Sequence, residues 1–92
     1  MSISVIIPVH DDTAACTRLL TQLRSVWGIS EVIVSASRID AELQQICMQF
    51  DARLIEADQG RGIQLNAGAR LATHSILWFL HADATPDVDA GR

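Results

Sequence analysis

Four short apolar runs alternate along the chain with three longer segments in which apolar residues recur every three or four positions. The runs are Ile3–Ile7, Glu31–Val34, Arg53–Glu56 and Ser75–Leu80. Their β-branched and aromatic residues predict strands buried within a sheet. The resulting order is β-α-β-α-β-α-β, which favours a parallel α/β sheet with right-handed crossovers and a strand order of 3-2-1-4. The first two helices are expected on one face and the third on the other.

The three longer segments each present an apolar face with helical spacing. The first ends at Gly28 and carries Cys16, Leu19, Leu20, Leu23, Val26 and Trp27. The second follows a capping residue, Asp40, and carries Leu43, Ile46, Cys47 and Phe50. The third, roughly Gly62 to Thr73, carries Ile63, Ala67 and Leu71. Pro8 is expected to end the first strand, and a loop is expected from Ser35 to Arg38. The fold class is therefore α/β, a three-layer Rossmann-like sheet in a single domain.

Composition narrows the class of partner. The chain has 92 residues and a net charge of −4, which argues against nucleic acid as the main partner. Every basic residue is an arginine, so a charged contact to phosphate must use the guanidinium fork. The longest apolar run, Ile76–Leu80, is too short to span a membrane and no secretory signal is visible, so a cytoplasmic location is expected. Cys16 and Cys47 lack metal-ligand spacing and are expected to be reduced core residues.

The first candidate for chemistry is the tripeptide His81-Ala82-Asp83, directly after the fourth predicted strand. Ligands of open parallel sheets bind outside the carboxyl ends of the strands. Asp83 offers a hard oxygen ligand for a divalent cation, and His81 suits borderline metals such as Mn²⁺. The competing interpretation is that these are solvated loop residues, or that Asp83 caps a helix.

The second candidate is the loop Gly60-Arg61-Gly62, which enters the third helix. Its glycines allow a ligand to approach the backbone, and the start of a helix favours an anion. Gln64 and Asn66 follow on the helix as candidate contacts or simple surface amides. The loop matches neither a Walker motif nor GxGxxG, so a turn with a solvated arginine stays open as an alternative.

Two further acidic residues follow the first strand, at the same expected edge of the sheet. Asp11 and Asp12 are candidate ligand contacts, and either can also cap the first helix. His10 and His74 have no evident partner in the sequence.

Taken together, four blocks resemble family 2 glycosyltransferases of the GT-A fold. The blocks are Val5-Ile6-Ile7-Pro8-Val9, Glu31-Val32-Ile33-Val34, Gly60-Arg61-Gly62-Ile63-Gln64-Leu65-Asn66-Ala67-Gly68-Ala69 and Phe79-Leu80-His81-Ala82-Asp83. The last two look most like the radical-SAM/selenodomain-associated subgroup. The resemblance covers residues 3 to about 86. It implies the nucleotide-binding half of a GT-A fold.

The resemblance also implies an activity and roles for individual residues. It implies inverting transfer of a sugar from a nucleotide-diphosphate donor, with Mg²⁺ or Mn²⁺ on the diphosphate. Asp83 matches the metal ligand of the DxD motif, and His81 takes the first position of that motif. Asp12 matches an acidic residue near the nucleoside, with Asp11 beside it, and Arg61 a basic residue near the donor. Pro8, Gln64 and Asn66 belong to the same matching blocks and are further expected substrate contacts.

The chain departs from the family pattern in two places. Ser35-Ala36-Ser37 stands where the family has an aspartate that contacts the nucleoside. No counterpart of the acceptor half follows the metal motif, so the chain is expected to be the donor-binding half, truncated before the acceptor half, without a known general base.

Two rival functions stay open. One is a haloacid-dehalogenase type phosphotransferase, whose DxDxT motif nearly fits Leu80-His81-Ala82-Asp83-Ala84-Thr85. The other is a non-catalytic nucleotide-binding or interaction module. Self-association is also expected, because the edge Ser75–Leu80 carries no charge, proline or glycine.

Overall fold

The fold is a four-stranded parallel sheet of order β3-β2-β1-β4, seen in a computed structural model that describes residues 3–10, 12–26, 28–74 and 76–80. The strands are β1 (Ile3–Val9), β2 (Ile29–Ala36), β3 (Arg53–Glu56) and β4 (Ile76–Phe79). The helices are α1 (Thr13–Leu23), α2 (Ala41–Gln49) and α3 (Arg61–Leu71). Element order, strand order and parallel pairing agree with the prediction, so the α/β fold class is confirmed.

The main core lies between the sheet and helices α1 and α2. Alternate residues of β1, Val5, Ile7 and Val9, pack there against Leu19 of α1 and Leu43 of α2. The intervening residues of β1 face α3, since a Cβ on Gly68 of that helix would meet the side chain of Ile6. The predicted distribution of helices over the two faces is therefore confirmed.

Both cysteines belong to this core. Cys16 and Cys47 are buried and free, as predicted. Burial raises the pKa of the Cys16 thiol to about 12 and that of Cys47 to about 11. Because the thiolate is the reactive form, neither side chain is a nucleophile at neutral pH.

Several predicted boundaries were wrong. Strand β1 continues through Pro8 to Val9, and β2 extends to Ala36, so Ser35 lies in a strand and not in a loop. Helix α1 ends at Leu23, well before Gly28, whose φ of 90° belongs to the turn into β2. Trp27 and Ser75, which the sequence placed in the first helix and the fourth strand, lie outside the described residues.

Helix α3 packs on the sheet through a different face from its apolar stripe. The sheet-facing side carries the buried residues Gln64 and Gly68, whereas Ile63 is 53% exposed and Leu71 is 37% exposed. Gly68 lets the helix backbone approach β1 closely, since an added Cβ would lie 2.5 Å from Cγ2 of Ile6. The contact between α3 and the sheet is thus made by a small residue and an amide.

Candidate functional site

The carboxyl ends of the strands meet at one edge of the sheet. The amide of Ser37 donates to the carbonyl of Val9 at 3.0 Å, and the amide of Ala57 donates to the carbonyl of Ala36 at 2.9 Å. Leu80, the last described residue, donates to the carbonyl of Ile6 at 3.0 Å. The segments after β1, β2 and β3 and the end of β4 are therefore neighbours, as expected for ligand binding in an open parallel sheet.

Two depressions open at this edge. The first, here called the α3 crevice, has a volume of about 230 Å³ and is lined by Pro8, His10, Gln59, Gly60, Arg61 and Gln64. The second, the β3 depression, has a volume of about 490 Å³ and is lined by Ser37, Glu56, Ala57, Asp58, Gln59 and Ala67. Gln59 lines both, so the two form neighbouring parts of one polar surface.

Three of the predicted site residues come together in the α3 crevice. Pro8 lines it from the end of β1, and Arg61 lines it as the first residue of α3. Gly60 precedes the helix with a φ of 141°, a conformation that glycine adopts readily, and as a glycine it supplies no side-chain cap. The start of α3 and the guanidinium of Arg61 both favour an anion in this crevice.

Gln64 is buried in the wall of the crevice. Its side chain is 3% exposed, so the surface-amide alternative was wrong for this residue. Its Nε2 donates to the carbonyls of Val9 and Ser35 at 2.9 Å and 2.8 Å, and its Oε1 accepts from the amide of Gly60 at 3.2 Å. The amide therefore joins β1, β2 and the start of α3.

Asp12 and Asn66 lie apart from the two depressions. Asp12 is exposed and caps α1, since its Oδ1 accepts from the amide of Ala15 at 3.1 Å. Asn66 is exposed. It is two positions from both Gln64 and Gly68, about half a helical turn, so it lies on the opposite side of α3 from these two residues. Neither residue lines the α3 crevice or the β3 depression.

The remaining predicted site residues, Asp11, His81 and Asp83, lie outside the described residues. Within the described ranges, no three histidine, cysteine, aspartate or glutamate side chains come close enough together to hold a metal ion. The helices that the structure describes are each too short or too polar to cross a bilayer.

One pair at the site was missed by the sequence analysis. Nδ1 of His10 lies 2.6 Å from Oγ of Ser37, and His10 also lines the α3 crevice. The two residues directly follow β1 and β2, which are adjacent in the sheet. Correct ends for these two strands would have predicted the pair, because residues just past neighbouring parallel strands share an edge.

The fold recurs in solved structures of larger proteins. S. aureus TarS superimposes with a TM-score of 0.72 at 20% identity, over 90% of this chain and 17% of that protein. The mannosyltransferase PcManGT from Pyrobaculum calidifontis, solved with GDP-Man and Mn²⁺, gives a TM-score of 0.72 at 20% identity, over 95% of this chain and 29% of that one. A CMP:2-keto-3-deoxy-manno-octonic acid synthetase complexed with CTP gives 0.68 at 14% identity, over 89% and 40%. These likenesses establish the shared fold, and the chain spans less than half the length of each protein.

Sequence comparison supplies the family. No protein with a curated description matches the chain. The sequence pattern of Glycosyl transferase family 2, however, matches residues 4–90, nearly the whole chain. On this match, and with the fold that it shares with PcManGT, the chain belongs to glycosyl transferase family 2.

Proposed function

We propose that this chain is a glycosyltransferase domain that binds a nucleotide-diphosphate sugar at the carboxyl edge of its sheet. The observation that carries the proposal is the α3 crevice, in which Arg61, the start of α3 and the end of β1 converge. A nucleoside diphosphate is an anion with hydrogen-bonding groups at both ends. It suits a crevice that combines a guanidinium with the start of a helix.

Arg61 and Pro8, which line the α3 crevice, would contact the donor. Asp12 is retained from the family resemblance as a contact near the nucleoside, although it lines neither depression. Asp11 and Asn66 are retained as proposed substrate contacts from the family resemblance, although Asn66 faces away from the crevice. During transfer the diphosphate leaves with increasing negative charge, and a guanidinium beside it would stabilise that charge. Inversion at the anomeric carbon belongs to the proposal and would be checked by the configuration of the product.

A divalent cation, Mg²⁺ or Mn²⁺, is proposed as the cofactor. His81 and Asp83 would hold it. Their motif begins at the residue after Leu80, and Leu80 donates its backbone amide to the carbonyl of Ile6 in β1 at the edge of the sheet. A carboxylate and an imidazole are a donor set suited to Mn²⁺. The Mn²⁺ bound with GDP-Man in PcManGT supports a divalent cation as the cofactor. When bound, the cation would neutralise charge on the diphosphate.

Calorimetry with UDP, GDP and CDP tests the proposal, with and without Mn²⁺. Wild-type protein should bind at least one nucleotide in a metal-dependent manner, and Asp83→Asn should abolish the metal dependence. Asp51→Asn is the matched control: it removes the same charge from an exposed residue between α2 and β3, where φ is 57° and asparagine is tolerated. Equal binding by wild type and Asp83→Asn would refute the metal assignment.

A second function, a non-catalytic nucleotide-binding or interaction module, is kept because the chain spans only 17% to 40% of the similar solved proteins. Turnover of a nucleotide sugar with Mn²⁺ by the purified chain would exclude it, whereas binding without turnover would support it. The radical-SAM/selenodomain-associated subgroup and a cytoplasmic location remain predictions from the sequence.

A further inference from the structure

The side chain of Gln64 occupies a position where a helix packed on a sheet usually carries an apolar residue. It lies one turn before Gly68 on the side of α3 that faces the sheet, and it is 3% exposed. Burying a primary amide is unfavourable unless its donors and its acceptor are satisfied. The hydrogen bonds of this amide therefore indicate why a polar residue stands there.

Both donors and the acceptor of the amide are used by main-chain groups. The Nε2 group donates to the carbonyls of Val9 and Ser35, and Oε1 accepts from the amide of Gly60. The orientation of the amide follows from these partners, because the flipped form would place Oε1 against two carbonyl oxygens. Gln64 thus connects three segments that are far apart in sequence.

Each of these segments leads into the polar edge described above. Val9 precedes His10, Ser35 lies two residues before Ser37, and Gly60 precedes Arg61. Gly60 is held twice, because its carbonyl also accepts from the amide of Gln64 at 2.9 Å. Glycine has more conformational freedom than other residues, and Gly60 has a φ of 141°. The two bonds to Gln64 restrict this freedom and so fix the position at which α3 begins.

We infer that Gln64 is a positioning residue: its amide holds the end of β1, the end of β2 and the Gly60–Arg61 turn in the arrangement that receives a nucleoside diphosphate. It acts through these main-chain segments, because its donors are already occupied. This inference rests on the proposed function of the α3 crevice. A purely structural role would affect stability alone, whereas a positioning role also changes the affinity of the folded protein.

The test compares Gln64→Met and Gln64→Glu with wild type, using UDP or GDP with Mn²⁺ as the probe. Methionine has a similar shape and no donors, so affinity should fall about tenfold, the effect of about one net hydrogen bond. Gln45→Met on the exposed face of α2 is the matched control and should bind as wild type.

The glutamate variant adds a pH profile. A protonated carboxyl at this position can donate to one carbonyl and accept from Gly60, whereas a carboxylate would oppose both carbonyls. Burial and these carbonyls would raise its pKa. The affinity of Gln64→Glu relative to wild type, measured at each pH, should therefore be highest at acidic pH and fall as pH rises.

Hydrogen exchange at the Gly60 amide separates this inference from the proposed function. The amide should be protected in wild type and Gln45→Met, and should exchange faster in Gln64→Met. If wild type binds no nucleotide, the proposed function fails, and so does the binding role of Gln64. If wild type binds and folded Gln64→Met binds equally well, or if Gly60 is unprotected in wild type, positioning by Gln64 is overturned. Should Gln64→Met not fold, the pH profile of Gln64→Glu decides: a flat ratio refutes the inference.

Discussion

Replacing Gly68 by alanine should destabilise the protein, although alanine is the better helix former. Helix α3 approaches β1 so closely that the new Cβ would lie 2.5 Å from Cγ2 and 3.4 Å from Cγ1 of Ile6. Ile6 is fully buried, and its β-branched side chain has few alternative rotamers. The added methyl group can be accommodated only if the helix moves away from the sheet.

The size of the effect follows from two opposing contributions. In an exposed helix interior, replacing glycine by alanine stabilises by about 1 kcal/mol. Overpacking a buried site costs about 1–3 kcal/mol, and the upper end applies because the contact is more than about 1 Å shorter than the optimum between carbon atoms. The free energy of unfolding should therefore fall by about 1–2 kcal/mol.

Gly62 on the same helix is the matched control. Among the described residues, a Cβ there meets nothing within 4 Å beyond its own turn of helix, so Gly62→Ala should raise the free energy of unfolding by up to about 1 kcal/mol. Urea unfolding followed by far-UV circular dichroism measures both variants. In an Ile6→Ala background, Gly68→Ala should become neutral or stabilising, because its Cβ then fills space that Ile6 occupied. Similar shifts for the two glycine variants, or additive effects of Gly68→Ala and Ile6→Ala, would refute the close-approach argument.

Three further predictions concern acid stability, helix capping and self-association. The pKa of the Glu31 carboxyl is lowered, mainly by a hydrogen bond from the backbone amide of Thr73 and secondly by one from the Ser4 hydroxyl. The stability that these bonds contribute should be complete above the unfolded pKa of about 4.3, and should be lost as pH falls through the lower pKa of the folded state. In urea unfolding across this pH range, the free energy of unfolding of Glu31→Gln should fall less steeply with acid than that of wild type. An identical fall would contradict the role of Glu31 in acid stability. Asp40→Ala should lower the free energy of unfolding by about 1 kcal/mol, because Oδ1 of Asp40 caps α2 by accepting from the amide of Leu43 at 2.8 Å. Asp40→Asn should retain most of this stability, since asparagine also caps helices. Equal losses in the two variants would exclude capping as the cause. Phe79 on the edge strand β4 is 47% exposed, so the protein should self-associate through this edge. Light scattering over a dilution series should show association in wild type and none in Phe79→Lys. A monodisperse wild-type monomer at high concentration would exclude self-association.

The topology could be predicted from the sequence because it depends on patterns that are strong in this chain. Strand-helix alternation and right-handed crossovers leave few arrangements for four parallel strands. Strand ends were harder, and Pro8 shows why. Alternate residues of a strand face the same neighbour, so Pro8, like Ile6, turns its backbone nitrogen toward β4. The paired residues of β1 and β4 end at Ile6 and Phe79, so the missing N–H of Pro8 lies past the last pair of this ladder.

The error at these two strand ends carried over into the site. With the first strand predicted to end at Ile7 and the second at Val34, His10 and Ser37 appeared to be unrelated loop residues. In the structure β1 and β2 pair as far as Val9 and Ala36, and the residues that follow these ends form a contact of 2.6 Å. An error of two residues at a strand end is enough to hide a neighbouring pair at the ligand-binding edge.

Helix α3 shows why the candidate site was harder to predict than the fold. Apolar periodicity selected Ile63, Ala67 and Leu71, but the sheet contact is made by Gln64 and Gly68. Periodicity measures where burial of apolar area stabilises a helix, and it gives no weight to a glycine that permits close approach or to an amide that satisfies main-chain groups. Both features occur in the helix that also forms the wall of the α3 crevice. The packing of α3 thus sets the position of the helix relative to the strand ends more than it buries apolar surface. The two buried residues that fix this position, Gln64 and Gly68, are also the ones that apolar periodicity does not select.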